Sequence, residues 1–206
     1  PEVNKEPEKK RGGGFLSSMP TDIMEMLPGA DFGVIGESFV TWPDLLERLD
    51  AGRTDWGRCL GLIYRDEERA VRLTGSRPLI PNLDVLPLPA WDMFPLDIYF
   101  KNSCLLLSEE SMTAKRRLDI NTSYGCSLIC RFCFHLGLTG DMKVVEDERG
   151  TRDVEFSYNR EIRWHTPRYI VDMVKEMRRR YDVDFVTFLD ENLMTMNVTT
   201  RGKWLP

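Results

Sequence analysis

Residues 121–135 read NTSYGCSLICRFCFH, and Cys126, Cys130 and Cys133 fall within eight positions as CxxxCxxC. The chain has five cysteines, an odd number, so a disulfide framework is a poor reading and a reducing, cytoplasmic compartment is expected. Thiolates this close together take soft metals, with an iron–sulfur cluster and zinc as the main candidates and incidental buried thiols as the remaining reading. Zinc would ask for four protein ligands. His135 could complete a cramped CxxxCxxCxH set, but no second CxxC knuckle occurs in the sequence. A four-iron cluster held by three cysteines would keep one iron open for an exchangeable ligand.

Outward from this loop, RRLDINTS reads as the strand that feeds it. Downstream, KVVEDERGTRDVEFSY reads as a hairpin. Thr166 and Pro167 mark a helix start, and Ile170, Met173, Val174, Met177 and Tyr181 recur at helical spacing to face a sheet. VDFVTFL is a near-continuous apolar strand, expected in a parallel sheet covered on both faces, and ends in Asp190, Glu191 and Asn192. In βα folds ligands bind at the C-terminal ends of strands, so the cysteines and this polar tip should share one site. Alone, the tip could be just a strand-ending turn; its place beside the cysteine loop argues for more.

The N-terminal half reads as an α/β unit. Residues 1–14 are polar and charged and are expected to be disordered. Pro20 opens a short helix ending before Pro28, DFGVIG is a short buried strand, and Thr41 is the expected N-cap of a helix carrying Leu45, Leu46 and Leu49. A hairpin follows around DEER. Pro78, Pro81, Pro87, Pro89 and Pro95 then point to an extended connection without regular structure. The expected organisation is a disordered segment 1–14, an α/β region 15–76, a proline-rich linker 77–104 and a second α/β region 105–206.

The cysteine spacing, with Phe132 just before the last cysteine, resembles the signature of radical S-adenosylmethionine (radical SAM) enzymes. The resemblance implies that Cys126, Cys130 and Cys133 ligate a 4Fe-4S cluster, whose open iron chelates the amino and carboxylate groups of S-adenosylmethionine. Reductive cleavage would give a 5'-deoxyadenosyl radical. The backbone near Phe132 would lie beside the adenine, and the tip Asp190, Glu191 and Asn192 would meet the methionine amino group through Asp190 or Glu191.

Upstream, GGGFLSSMP, PGADFGVIGES and LPLPAWDMFPLDIY are similar to the tail of the cobalamin-binding domain and linker in the cobalamin-dependent subgroup. Gly36 and Glu37 keep half of that subgroup's GEGE-like turn, and Ser38 and Phe39 depart from it. No histidine precedes His135, so this chain offers no lower axial ligand from that domain. The implied fold is the tail of a Rossmann-like domain, a linker, and the first βα units of an incomplete TIM-like barrel.

The chain starts on proline, stops at GKWLP and leaves room for about two barrel strands beyond the linker, so a fragment of a longer enzyme is expected. Cobalamin is expected in that longer protein, together with a small-molecule substrate and a flavodoxin- or ferredoxin-like reductant. The alternative is a non-catalytic module with zinc or a structural cluster, or a truncated form without activity.

A formal charge of -5 gives no nucleic-acid footprint, and no run of residues is apolar enough for a membrane span. Cys59 and Cys104 read as small buried hydrophobes, His135 as a polar residue near the cluster, His165 as a surface or hinge residue, and KEMRRRYD as a solvated face.

Overall fold

The computed structural model describes residues 10–12, 14–102, 114–128, 130, 140–148, 150, 152–160 and 162–203 of the mixed α/β chain. Two compact units emerge. The first is Pro1–Leu79 with Leu128–Glu161, and the second is Ile80–Ser127 with Ile162–Pro206.

In the first unit four strands form a sheet in the order β1 (Lys10–Gly12), β2 (Phe32–Val34), β3 (Leu62–Arg65), β4 (Val71–Leu73). β1 runs parallel to β2, and the other pairs are antiparallel. Residues 10–12 thus lie in a strand rather than the expected disordered segment, because the edge of β2 takes up their backbone groups.

Alternation along β3 sends Ile63 to one face and Leu62 to the other. Ile63 joins Leu16, Met24 and Leu73 under α1 (Gly14–Ser18) and α2 (Pro20–Met26). Leu62 joins Phe32, Val34, Leu45 and Cys59 under α3 (Ser38–Asp50). The hairpin β7 (Gly140–Glu146) and β8 (Arg152–Arg160) adds Val144 and Val154 to the first of these cores.

Two sequence expectations change here. α3 begins at Ser38 with Glu37 at the N-cap, three residues before Thr41. The Thr41 hydroxyl is buried and donates to Leu60 O at 3.2 Å, so it ties α3 to the turn before β3 instead of capping the helix. Pro43 lies inside α3, where its missing N–H removes one intrahelical bond.

In the second unit β5 (Arg117–Ile120) pairs in parallel with β10 (Phe185–Phe188), Arg117 opposite Phe185 and Ile120 opposite Phe188. The long helix α5 (Pro167–Tyr181) supplies the crossover and buries Ile170, Met173 and Met177 against Leu118, Ile120 and Met196. Thr166 caps it as expected, its Oγ1 accepting from Tyr169 N at 3.3 Å, and Arg178, Arg179 and Arg180 are exposed.

β10 is only half-buried, and Phe188 is 44% exposed. The expected cover on both faces is not present among the described residues, where β5 is its one strand partner. The proline-rich segment is also more regular than expected. It holds tight helical turns at Leu83–Val85 and Trp91–Met93, then α4 (Leu96–Asn102). Pro95 directly precedes α4, where a proline costs no intrahelical bond.

The chain leaves this unit after Ser127 and re-enters it at Ile162. The short strands β6 (Ser123–Tyr124) and β9 (Arg163–Trp164) pair antiparallel at the two crossings, Ser123 opposite Trp164. Among the described residues no helix is long and apolar enough to cross a membrane.

Gly61, at φ 75°, gives the most specific test of the first unit. A Cβ there would stand 2.8 Å from Thr41 Oγ1, which already serves Leu60. Gly61→Ala is expected to lower the unfolding free energy by about 1–3 kcal/mol, from left-handed backbone strain and the clash together, measured by urea unfolding.

Candidate functional site

The C-terminal ends of β5 and β10 meet at one corner. Leu189 N donates to Ile120 O at 2.8 Å, extending the ladder by one residue. Asp190 follows. Its Oδ1 accepts three hydrogen bonds: from Thr122 N at 2.9 Å, Thr122 Oγ1 at 2.9 Å and Ser123 Oγ at 2.5 Å. Thr122 and Ser123 are buried, so these donors do not compete with water. The other oxygen, Asp190 Oδ2, is buried and receives no hydrogen bond from the described residues. Asn121 Nδ2 also donates, to Leu189 O at 3.2 Å.

The cysteine loop starts from this corner. Gly125 takes φ 105°, a conformation that disfavours a side chain, and turns the chain into Cys126. Ser127 is tied to α6 (Leu193–Thr199): its Oγ lies 3.2 Å from Oγ1 of the buried Thr195. Asn192 starts α6 as its N-cap, its side chain accepting from Met194 N at 3.2 Å. Asn192 therefore has a local structural duty, and Glu191 beside it is half-buried.

Cys126 belongs to the second unit and Cys130 to the first, and both are half-buried. Cys133, Phe132, His135 and Cys104 lie outside the described residues. Among the described residues no trio of metal-ligating side chains is assembled. Cys59 is fully buried, as expected of a small hydrophobe, and burial, then the nearby Asp44 carboxylate, push its thiol up.

Gly36 and Glu37 lie in the first unit. Gly36, at φ 70°, donates its N–H to Ser17 Oγ at 2.9 Å, just before Glu37 opens α3.

His165 differs most from the expectation of a surface or hinge residue. It is 5% exposed, stacks flat on Tyr169 with ring centroids 4.1 Å apart, and places Nδ1 3.1 Å from Asp84 Oδ1. Burial pulls its pKa down, against the opposing pull of Asp84 and Asp190. Asp84 also accepts from Thr166 N at 3.0 Å and from Thr166 Oγ1 at 2.7 Å. Burial would raise Asp84, but these bonds and the imidazole hold it below the usual carboxylate value. Sequence reading misses this pair because 81 positions separate its members. The one local signal is Asn82, whose side chain caps the turn carrying Asp84.

The first unit also has a cleft of about 750 Å³, lined among others by Glu25, Arg65, Arg72, Glu146 and Arg152. Its arginines are already engaged. Arg72 pairs with Asp66 at 2.6 Å, Arg152 with Glu146 at 2.9 Å, and Arg65 donates to the carbonyls of Met24, Ala30 and Arg69. With these arginines already engaged, the corner at Asp190 is the stronger candidate.

No protein-family model matches the chain. It is 26% identical over 186 residues to an uncharacterized methyltransferase of Pyrococcus horikoshii, covering 90% of this chain and 33% of that protein. It is 26% identical over 162 residues to an uncharacterized methyltransferase of Synechocystis sp., covering 78% of this chain and 23% of that protein. The chain thus spans a third or less of these curated relatives.

Among solved structures, the cobalamin-dependent S-adenosylmethionine radical enzyme OxsB, with aqua-cobalamin and S-adenosylmethionine bound, matches at TM-score 0.55 and 18% identity. That match covers 90% of this chain and 21% of OxsB. The radical S-adenosylmethionine methyltransferase TsrM of Kitasatospora setae, with cobalamin and a [4Fe-4S] cluster bound, matches at TM-score 0.52 and 18% identity. It covers 94% of this chain and 32% of TsrM. At these identities the likeness is one of fold, and it agrees with the resemblance carried by the cysteine motif.

His165 makes the stability of the second unit pH-dependent. Its folded pKa lies below the ordinary 6.5, so the unfolded chain takes up the proton first as pH falls. Its stabilising contribution is complete above 6.5 and declines as pH drops from there toward the lowered folded value. Urea unfolding between about pH 8 and about pH 5 should show this decline, and His165→Asn should remove the part due to His165.

Proposed function

We propose that this chain is part of a radical S-adenosylmethionine methyltransferase of the cobalamin-associated type. Cys126, Cys130 and Cys133 would hold a 4Fe-4S cluster with one iron left open for S-adenosylmethionine. The observation that carries the reading is the corner itself: a cysteine loop rooted at a strand tip, beside a buried carboxylate oxygen with no described donor. Such an oxygen is costly unless a donor reaches it, and the ammonium of S-adenosylmethionine is a donor of the right charge. The cofactor pair, when bound and reduced, supplies a 5'-deoxyadenosyl radical for methylation or rearrangement at an unactivated carbon.

The residues of the chain do the holding. Asp190 anchors Thr122 and Ser123 with Oδ1 and would accept from the ammonium with Oδ2. Ser127, fastened to Thr195, fixes the backbone next to Cys126. Glu191 and Asn192 follow on the same tip, and Asn192 serves it by starting α6. The backbone near Phe132 would lie beside the adenine. Cobalamin, in the longer protein, would be approached by Gly36 and Glu37, where the chain turns at positive φ before α3. A small-molecule substrate, a flavodoxin- or ferredoxin-like reductant and a cytoplasmic setting complete the reading.

Anaerobic reconstitution should load about four iron and four sulfide per chain, and Cys130→Ala should lose most of both. A form of the protein as long as its curated relatives should release 5'-deoxyadenosine from S-adenosylmethionine under reduction, and the Cys130 variant should not. One tightly bound zinc without sulfide would instead establish the alternative of a non-catalytic metal-binding module.

A further inference from the structure

The corner that Asp190 holds from the front is also held from behind. Thr122, which gives both its N–H and its hydroxyl to Asp190, accepts the backbone N–H of His165 on its carbonyl at 2.8 Å. One residue of extended chain therefore connects the carboxylate to the imidazole. The imidazole is fixed on two further sides: Nδ1 lies 3.1 Å from Asp84 Oδ1, and the ring face lies on Tyr169. Tyr169 is itself fixed, its hydroxyl donating to Leu86 O at 2.9 Å.

Asp84 and Leu86 lie in and just after the tight turn Leu83–Val85 of the proline-rich segment. Asp84 takes two more hydrogen bonds from Thr166, the N-cap of α5. Three elements converge on one buried imidazole: the proline-rich turn, the start of α5 and the root of the cysteine loop.

A histidine is an expensive choice for a buried position where shape alone would do. A leucine could also pack against Tyr169 without needing a hydrogen-bond partner. What leucine cannot supply is a donor aimed at Asp84, which fixes the ring and, through the backbone of residue 165, the carbonyl of Thr122. The charged and titratable groups facing the imidazole are Asp84 from the turn, Asp190 from the tip of β10 and Tyr169 from α5.

We propose that His165, pinned by Asp84, is a positioning residue that sets the Thr122–Ser123–Asp190 corner and thereby the affinity of the site for S-adenosylmethionine. The cofactor half of this statement rests on the function proposed above; the positioning half does not. His165 touches no cofactor in this scheme. It acts through Thr122, and Asp84 acts through His165.

Two measurements test it, on wild type, His165→Leu, Asp84→Ala and His165→Asn. Asparagine keeps a donor at the place of Nδ1. The first is amide hydrogen exchange on the protein without cofactors. Amides of residues 122–123 and 189–191 should exchange about tenfold faster or more in His165→Leu and Asp84→Ala, and near the wild-type rate in His165→Asn.

The second is calorimetric binding of S-adenosylmethionine to the anaerobically reconstituted protein. His165→Leu should retain its iron and sulfide while its Kd rises about tenfold, and His165→Asn should restore binding. His165→Leu with wild-type protection of the corner would overturn the proposal. So would His165→Asn failing as badly as leucine, because the bond to Asp84 would then be irrelevant. A wild-type protein that protects the corner but binds no S-adenosylmethionine would overturn the cofactor reading, while loss of His165 control over the corner would overturn this one.

Discussion

Three donors converge on Asp190 Oδ1, and the rest of the candidate site depends on that convergence. β5 and β10 share only four register pairs, a short ladder to hold two strand tips in place. Hydrogen bonds to a carboxylate are stronger than neutral ones, and buried donors keep most of that strength. The Asp190 bonds thus fix the residues at which the chain turns, through Gly125, into the cysteine loop. A second attachment, from Ser127 to Thr195, follows Cys126, so the first cysteine is bracketed by two polar anchors.

The sequence made the local rules visible. Thr166 and Pro167 announce the start of α5, and the helical spacing of Ile170, Met173 and Met177 identifies its buried face. Both hairpins and the buried strand at Phe32–Val34 follow from period and turn chemistry. These features depend on neighbours a few residues away. The start of α3 does not: Thr41 has the right chemistry to cap, but a carbonyl 19 residues later claims its hydroxyl.

The candidate corner divides along the same line. The cysteine spacing and the polar tip at 190–192 are local and readable. The duties of that tip are not, because Asp190 turns out to be committed on one oxygen to residues 67 and 68 positions upstream. The Asp84–His165 pair is still less accessible, since a proline-rich run gives no periodicity from which to infer a buried contact. Prolines also led the reading toward an extended linker. A proline just before a helix costs no intrahelical bond, and α4 starts right after Pro95.

In enzymes of this fold the cofactors carry the difficult chemistry and the protein supplies position and charge. Here Asp190 Oδ1 holds the root of the cysteine loop, and in the function proposed above Oδ2 would accept from the ammonium. Asp190→Asn separates the roles. The amide oxygen can still accept from Thr122 and Ser123, while the amide nitrogen replaces Oδ2 and presents a donor where an ammonium should arrive. The decisive measurement is S-adenosylmethionine affinity of the reconstituted Asp190→Asn protein. The account predicts iron and sulfide at wild-type levels with a Kd raised at least about tenfold. Binding as tight as wild type would contradict it.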